Sequence, residues 1–93
     1  MFTGIIQAVG KIKGIEQQQG DVRLTVDTAD LDLSDAQLGD SIAVNGVCLT
    51  AIELMPQQFV ADVSNETLSA TTMGDVTVGS PVNLECALQA QTR

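Results

Sequence analysis

Cys48 and Thr50 are the residues of this chain best suited to chemistry, a thiol and a hydroxyl separated by one leucine. On a β-strand that spacing puts both on one face, roughly 7 Å apart along the strand, close enough to line one small-molecule pocket. A free cysteine is intrinsically nucleophilic and partly ionised near neutrality, so it can attack a bound ligand or carry a proton for it. The plainer account of a cysteine is burial as a small apolar residue, and Cys86, outside any motif, fits that account better still. Ser41 and Thr50 bring hydroxyls that can serve a ligand or simply face solvent. Asp62 and Glu66 bring carboxylates, for which a solvated loop is the plain account. Ser64-Asn65-Glu66-Thr67 reads as a helix cap, and such a segment also presents backbone N–H groups to a carbonyl-rich ligand. Gly4 allows close backbone approach to a ligand.

These groups meet only if the fold brings residues near 4, 48–50 and 62–67 together. The strongest local signal is Asn45-Gly46 between apolar runs, because a type I′ hairpin turn needs positive φ at both central positions. Ile42 and Val44 alternate with Ser41, Ala43 and Asn45 before the turn. After it, Val47, Leu49 and Ala51 alternate with Cys48, Thr50 and Ile52. The pattern predicts strands over Ser41–Val44 and Val47–Met55. It also predicts a long first strand from Phe2 to Ile15 interrupted by Gly4, Gly10 and Gly14, and a polar turn over Glu16–Gly20. Val22, Leu24 and Val26 mark a further strand, as do Phe59–Val63 after a turn at Pro56, and Val82–Cys86. Ser34 is placed to cap one helical turn ending at Gly39, and Ser64 or Asn65 a short helix that stops by Gly74. Leu38-Gly39 and Val78-Gly79 each put a glycine turn before a strand, too faint an echo to be a repeat. Six short strands with glycine-rich connections and one or two helical turns predict an all-β, six-stranded antiparallel Greek-key closed barrel. Closure removes the edges on which a small β domain would aggregate.

Composition narrows the function. Twelve acidic residues against four basic ones give a formal charge of −8, which repels nucleic-acid backbones and anionic membranes. With only Phe2 and Phe59 as aromatics, stacking platforms for single strands are scarce. Without histidine the commonest metal ligand and general base is missing, so no metal is expected. No signal sequence or membrane-spanning run is present, and two cysteines at an uninformative spacing suit free thiols in a cytoplasmic protein.

Met1-Phe2-Thr3-Gly4-Ile5-Ile6-Gln7, Asn45 to Thr50, Ser64 to Leu68, Gly74-Asp75, Val78-Gly79 and Val82-Asn83-Leu84-Glu85 follow one another in this order. Together they resemble the N-terminal half of riboflavin synthases, over residues 1–87, with 88–93 as a polar tail at the interdomain connection. The resemblance implies a lumazine-binding barrel. Full-length members of the family carry two barrels, assemble as homotrimers and dismutate two molecules of 6,7-dimethyl-8-ribityllumazine. The products are riboflavin and 5-amino-6-ribitylamino-uracil, made with no cofactor.

By the same resemblance, Gly4, Ile5 and Ile6 would contact the ring, and Cys48, Leu49 and Thr50 would line the pocket. Asp62, Val63, Ser64, Asn65, Glu66 and Thr67 would hold the pyrimidine-like edge and the ribityl chain. Cys48 and Ser41 would be the catalytic groups, facing a partner barrel. The second barrel is missing here, so the expectation is an excised N-terminal domain. As an isolated domain it should pair as a homodimer and bind riboflavin or lumazine with weak or no turnover. The alternative is a non-catalytic lumazine- or flavin-binding protein.

Overall fold

Burial alternates along the second strand: Val22, Leu24 and Val26 are buried, and the polar residues between them are half-exposed. That period of two means one face of the strand meets a core and the other meets water. Repeated along six strands, it closes the sheet on itself. The computed structural model describes residues 6, 8–29, 31, 33 and 36–86. Its strands are β1 (Ala8–Gln18), β2 (Asp21–Asp27), β3 (Ser41–Val44), β4 (Val47–Met55), β5 (Gln58–Ser64) and β6 (Pro81–Cys86). They form an antiparallel barrel in the order β1-β2-β5-β4-β3-β6. β3, β4 and β5 follow one another through tight turns, and the long connection from β2 returns that strand to the side of β5, a Greek-key path. One helix, α1 (Asn65–Ala70), and a 3₁₀ turn over Thr72–Asp75 lead from β5 toward β6.

The barrel interior is filled by side chains, as in other small barrels. Phe59, Ile12, Leu24, Ile42 and Leu84 are the largest of those fully buried. Leu31 and Leu33, from the β2–β3 connection, join the same core. Among the described residues the inner face is thus largely apolar, and Cys48, Thr50 and Asp62 stand exposed on the outer wall.

Two bulges keep the inside apolar. Register shifts between Ile12 and Gly14 in β1 and between Ala51 and Glu53 in β4. In β4 the extra residue, Ile52, keeps Leu54 packed against the core and Glu53 outside, where strict alternation would have exchanged them.

Three sequence expectations change. β1 runs to Gln18, because Gln17 and Gln18 pair with Val22 and Asp21, and the turn is confined to Gln19-Gly20. Polar side chains do not end a strand whose backbone still has a partner. Of the helical turn expected after Ser34, Ser34 and Asp35 lie outside the described residues, and residues 36–38 are not helical. Separate turns replace it, with Ala36 N–H donating to the Leu33 carbonyl (3.0 Å) and Asp40 N–H to that of Gln37 (2.9 Å). Gly10 pairs regularly with Val82 and does not interrupt the strand. The expected strand start at Phe2, with Gly4, and the tail over 88–93 lie outside the described residues.

The Asn45-Gly46 hairpin forms as expected, with φ of 51° and 83°. Asn45 does more than accept a left-handed backbone. Its N–H donates to the Asn83 carbonyl and its Oδ1 accepts from the Asn83 N–H, each at 2.8 Å. The β3–β6 ladder ends at Val44 opposite Leu84, so the side chain carries the ladder one pair further. Asn45→Gly, which keeps the turn and loses the acceptor, is expected to cost about 1 kcal/mol. Asn45→Ala should cost more, since an alanine is strained at positive φ. Urea unfolding midpoints of the two variants check both.

Candidate functional site

The β3–β4 register sets Ser41 directly opposite Thr50 and Ala43 opposite Cys48. Ile42 and Leu49, between them, point into the core and are buried. Cys48 and Thr50 thus share the outer face, as their spacing predicts. Cys48 is an exposed free thiol, so burial, the plainer account, does not hold for it. Cys86 is the reverse: half-buried and packed against the core.

The band continues across the barrel. Ala51 of β4 faces Ala61 of β5, and one residue further along each strand stand Thr50 and Asp62. Asp62 in turn is opposite Arg23 of β2, and Arg23 opposite Glu16 of β1. Asp62 is therefore a strand residue, and the solvated-loop account of it fails. Arg23 Nε and Nη2 donate to its two carboxylate oxygens at 2.8 and 3.2 Å. This fork-to-fork pair holds the carboxylate in one orientation. Hydrogen bonding to Arg23 keeps the Asp62 carboxyl below the ordinary aspartate range, and the same pairing raises the guanidinium.

A carboxyl lowered in the folded state adds stability above the unfolded pKa and loses it as pH falls through the folded one. In Arg23→Gln the Asp62 midpoint, followed by carboxyl-carbon NMR, should move up toward the ordinary value. With both side chains more than a third accessible, solvent screens the pair and global stability should hardly change.

The remaining expected residues follow Asp62 in order. Val63 is buried, so only its backbone reaches the outside; the same is true of Leu49. Ser64 caps α1: its hydroxyl accepts from the Thr67 N–H at 3.1 Å and donates to the Thr67 hydroxyl at 3.0 Å. Asn65 and Glu66 are exposed in the first turn and Thr67 is half-buried. Gly4 and Ile5 lie outside the described residues. Ile6 is exposed and lines an open depression with Ala43, Asn45, Gly46, Asn83 and Glu85. A second depression on the outer wall is lined by Glu16, Arg23, Thr25, Glu53 and Val60 among others. Each has a volume of about 500 Å³, within the range of small-molecule pockets. Ala43, in the first, is the cross-strand partner of Cys48.

Sequence reasoning passed over Arg23 because alternation gives its face but not its partner, which depends on the β2–β5 register. Among the described residues no cluster of three or more His, Cys, Asp or Glu is arranged for a metal ion, and no helix is long and apolar enough to cross a membrane.

Residues 3–87 match the family model described as the lumazine binding domain. Riboflavin synthase from Photobacterium phosphoreum is 50% identical over 93 residues, covering 100% of this chain and 43% of that protein. The enzyme from Bacillus subtilis (strain 168) is 46% identical with the same coverage. The chain thus spans less than half the length of these curated relatives. Among solved structures, LumP with 6,7-dimethyl-8-(1'-D-ribityl) lumazine superposes with a TM-score of 0.80 at 31% identity, over 94% of this chain and 49% of that one. LumP with riboflavin gives 0.80 at 31% identity over 92% and 46% of the two chains. LumP with flavin mononucleotide gives 0.78 at 31% over 92% and 49%.

Proposed function

The chain belongs to the lumazine binding domain family, and from that premise we propose that it binds 6,7-dimethyl-8-ribityllumazine or riboflavin on the outer wall of its barrel. One observation carries the reading: Ser41, Cys48, Thr50 and Asp62 come to one outer band by strand register, over an interior filled with apolar side chains. Ile6 at one side and residues 62–67 at the other extend that band to the three segments that the resemblance to riboflavin synthases singles out.

In this role the domain is the lumazine-binding half of a riboflavin synthase. Two lumazines must meet face to face, one donating a four-carbon unit to the other. A methyl group of one ring loses a proton while the other ring accepts a nucleophile. The exposed Cys48 thiol and the hydroxyls of the cross-strand neighbours Ser41 and Thr50 are the groups that can move protons at that junction. Orientation of two identical molecules supplies much of the rate. A second barrel has to cover the face, by pairing of two copies as a homodimer here or within a two-barrel, trimeric enzyme. One chain alone is then a binder with weak or no turnover, needing no metal or organic cofactor and acting in the cytoplasm.

The likeness to LumP favours a second reading, a lumazine- or flavin-binding protein without synthase activity. Titrating riboflavin and following flavin fluorescence tests binding cleanly, since the chain has no Trp or Tyr to interfere. Binding in the micromolar range or tighter is expected, and no binding there sinks both readings. Adding ribityllumazine and measuring riboflavin formed bears on the choice between them: any turnover, however slow, establishes the synthase half and rules out a carrier.

A further inference from the structure

We infer that Asp62, by occupying Arg23, makes this site selective for ribityl compounds without a 5′-phosphate. The inference rests on the ligand reading proposed above and adds to it the charge class of the ligand. An arginine fork is well shaped to clamp a phosphate. Here the fork is taken: Nε and Nη2 both donate to the Asp62 carboxylate, across a directly opposed strand pair. Glu16 is the cross-strand neighbour of Arg23 on the other side, and Glu53 lines the same depression. Glu66 stands in the first turn of α1, four residues after Asp62. Among the described residues, Lys13 also reaches this wall, but its ammonium donates at 3.3 Å to Gln58, which lines the same depression.

A ribityl chain ends in a neutral hydroxyl and meets these acceptors as a hydrogen-bond donor. Flavin mononucleotide ends in a phosphate carrying about −1.5 to −2 charges at neutral pH. To enter the band it must approach carboxylates or displace Asp62 from Arg23, leaving that carboxylate unpaired. The low pKa of Asp62 keeps it charged throughout the neutral range, so protonation offers no escape. LumP has been solved with flavin mononucleotide as well as with riboflavin, so the shared fold does not itself exclude the phosphate.

The test is a pair of fluorescence titrations, riboflavin and flavin mononucleotide, at low and at high ionic strength. Flavin mononucleotide should bind about tenfold more weakly at low salt, and the gap should narrow as salt screens the carboxylates. Asp62→Asn, which removes one charge and frees the fork, should narrow the ratio of the two affinities at low salt. Arg23→Gln should widen it. Both residues are on the surface, so circular dichroism should report an intact fold in each variant. Equal or tighter binding of flavin mononucleotide by the unmodified chain overturns the inference, as does a ratio that Asp62→Asn leaves unmoved. Failure of both ligands to bind is a different outcome, which defeats the ligand reading itself and takes the inference with it.

Discussion

Gly10→Val is expected to leave the chain without a stable barrel, and Gly10→Ala to lower its stability by about 3 kcal/mol. Gly10 sits in β1 opposite Val82 of β6, one residue before Lys11, which is paired with both Asp27 and Pro81. At this point β1 is squeezed between two neighbours. A Cβ added to Gly10 would fall onto the Asp27 carbonyl oxygen and lie 2.7 Å from Leu84 Cδ1. Leu84 has no freedom to retreat, since it is fully buried. Asp27 cannot retreat without opening the Lys11–Asp27 pair that closes one side of the barrel. A domain of this size has about 5–15 kcal/mol of stability in all. The two further methyl groups of valine must find room in the same crowded place. Urea unfolding followed by far-ultraviolet circular dichroism gives the answer. An alanine variant within about 0.5 kcal/mol of the parent, the ordinary range for a surface change, would show that the crowding is relieved by small shifts.

Phe59→Ala is expected to cost about 3–5 kcal/mol, the usual penalty for emptying a large aromatic site in a core. Phe59 is the largest fully buried side chain among the described residues, in β5 opposite Val26 on one side and Leu54 on the other. Its removal leaves a cavity under two sheet neighbours at once. For a chain of this length each kcal/mol moves the melting temperature by about 4–8 °C, so the loss should exceed ~10 °C. Cys48→Ala is the contrast. The thiol is exposed on the other side of the wall, and its removal should change stability by less than about 0.5 kcal/mol. Comparable melts for the two variants would mean that the inner and outer faces have been assigned wrongly.

Much of this could be read from residue order. Asn45-Gly46 forms its hairpin because few other dipeptides accept positive φ twice. Alternation in β2, β4 and β5 separates Cys48 and Thr50 from Leu49 and Ala51, and Asp62 from Ala61 and Val63. Ser64 caps α1 as its position predicts. Other features depended on which strands meet. That Cys48 faces out, against the usual habit of cysteine, follows from Leu49 and Ala51 owning the inner face. The extension of β1 through Gln17 and Gln18 depends on their pairing with β2, which their polarity conceals. The Arg23–Asp62 fork needs the β2–β5 register, set by a long connection and by barrel closure, and local pattern carries no record of either.

The central claim is that ligand binds on the outer band, with the interior closed to it. Adding riboflavin to nitrogen-15-labelled protein and following the backbone amides tests this most directly. Changes should concentrate at Ile6, Ser41, Cys48 to Thr50 and Asp62 to Thr67. The amides of Val82 in β6 and of Ile12 in β1, whose side chains lie in the core, should stay in place. Shifts centred on core positions such as Ile12, Val26 and Val82, with Cys48, Thr50 and Asp62 unmoved at saturation, would contradict it.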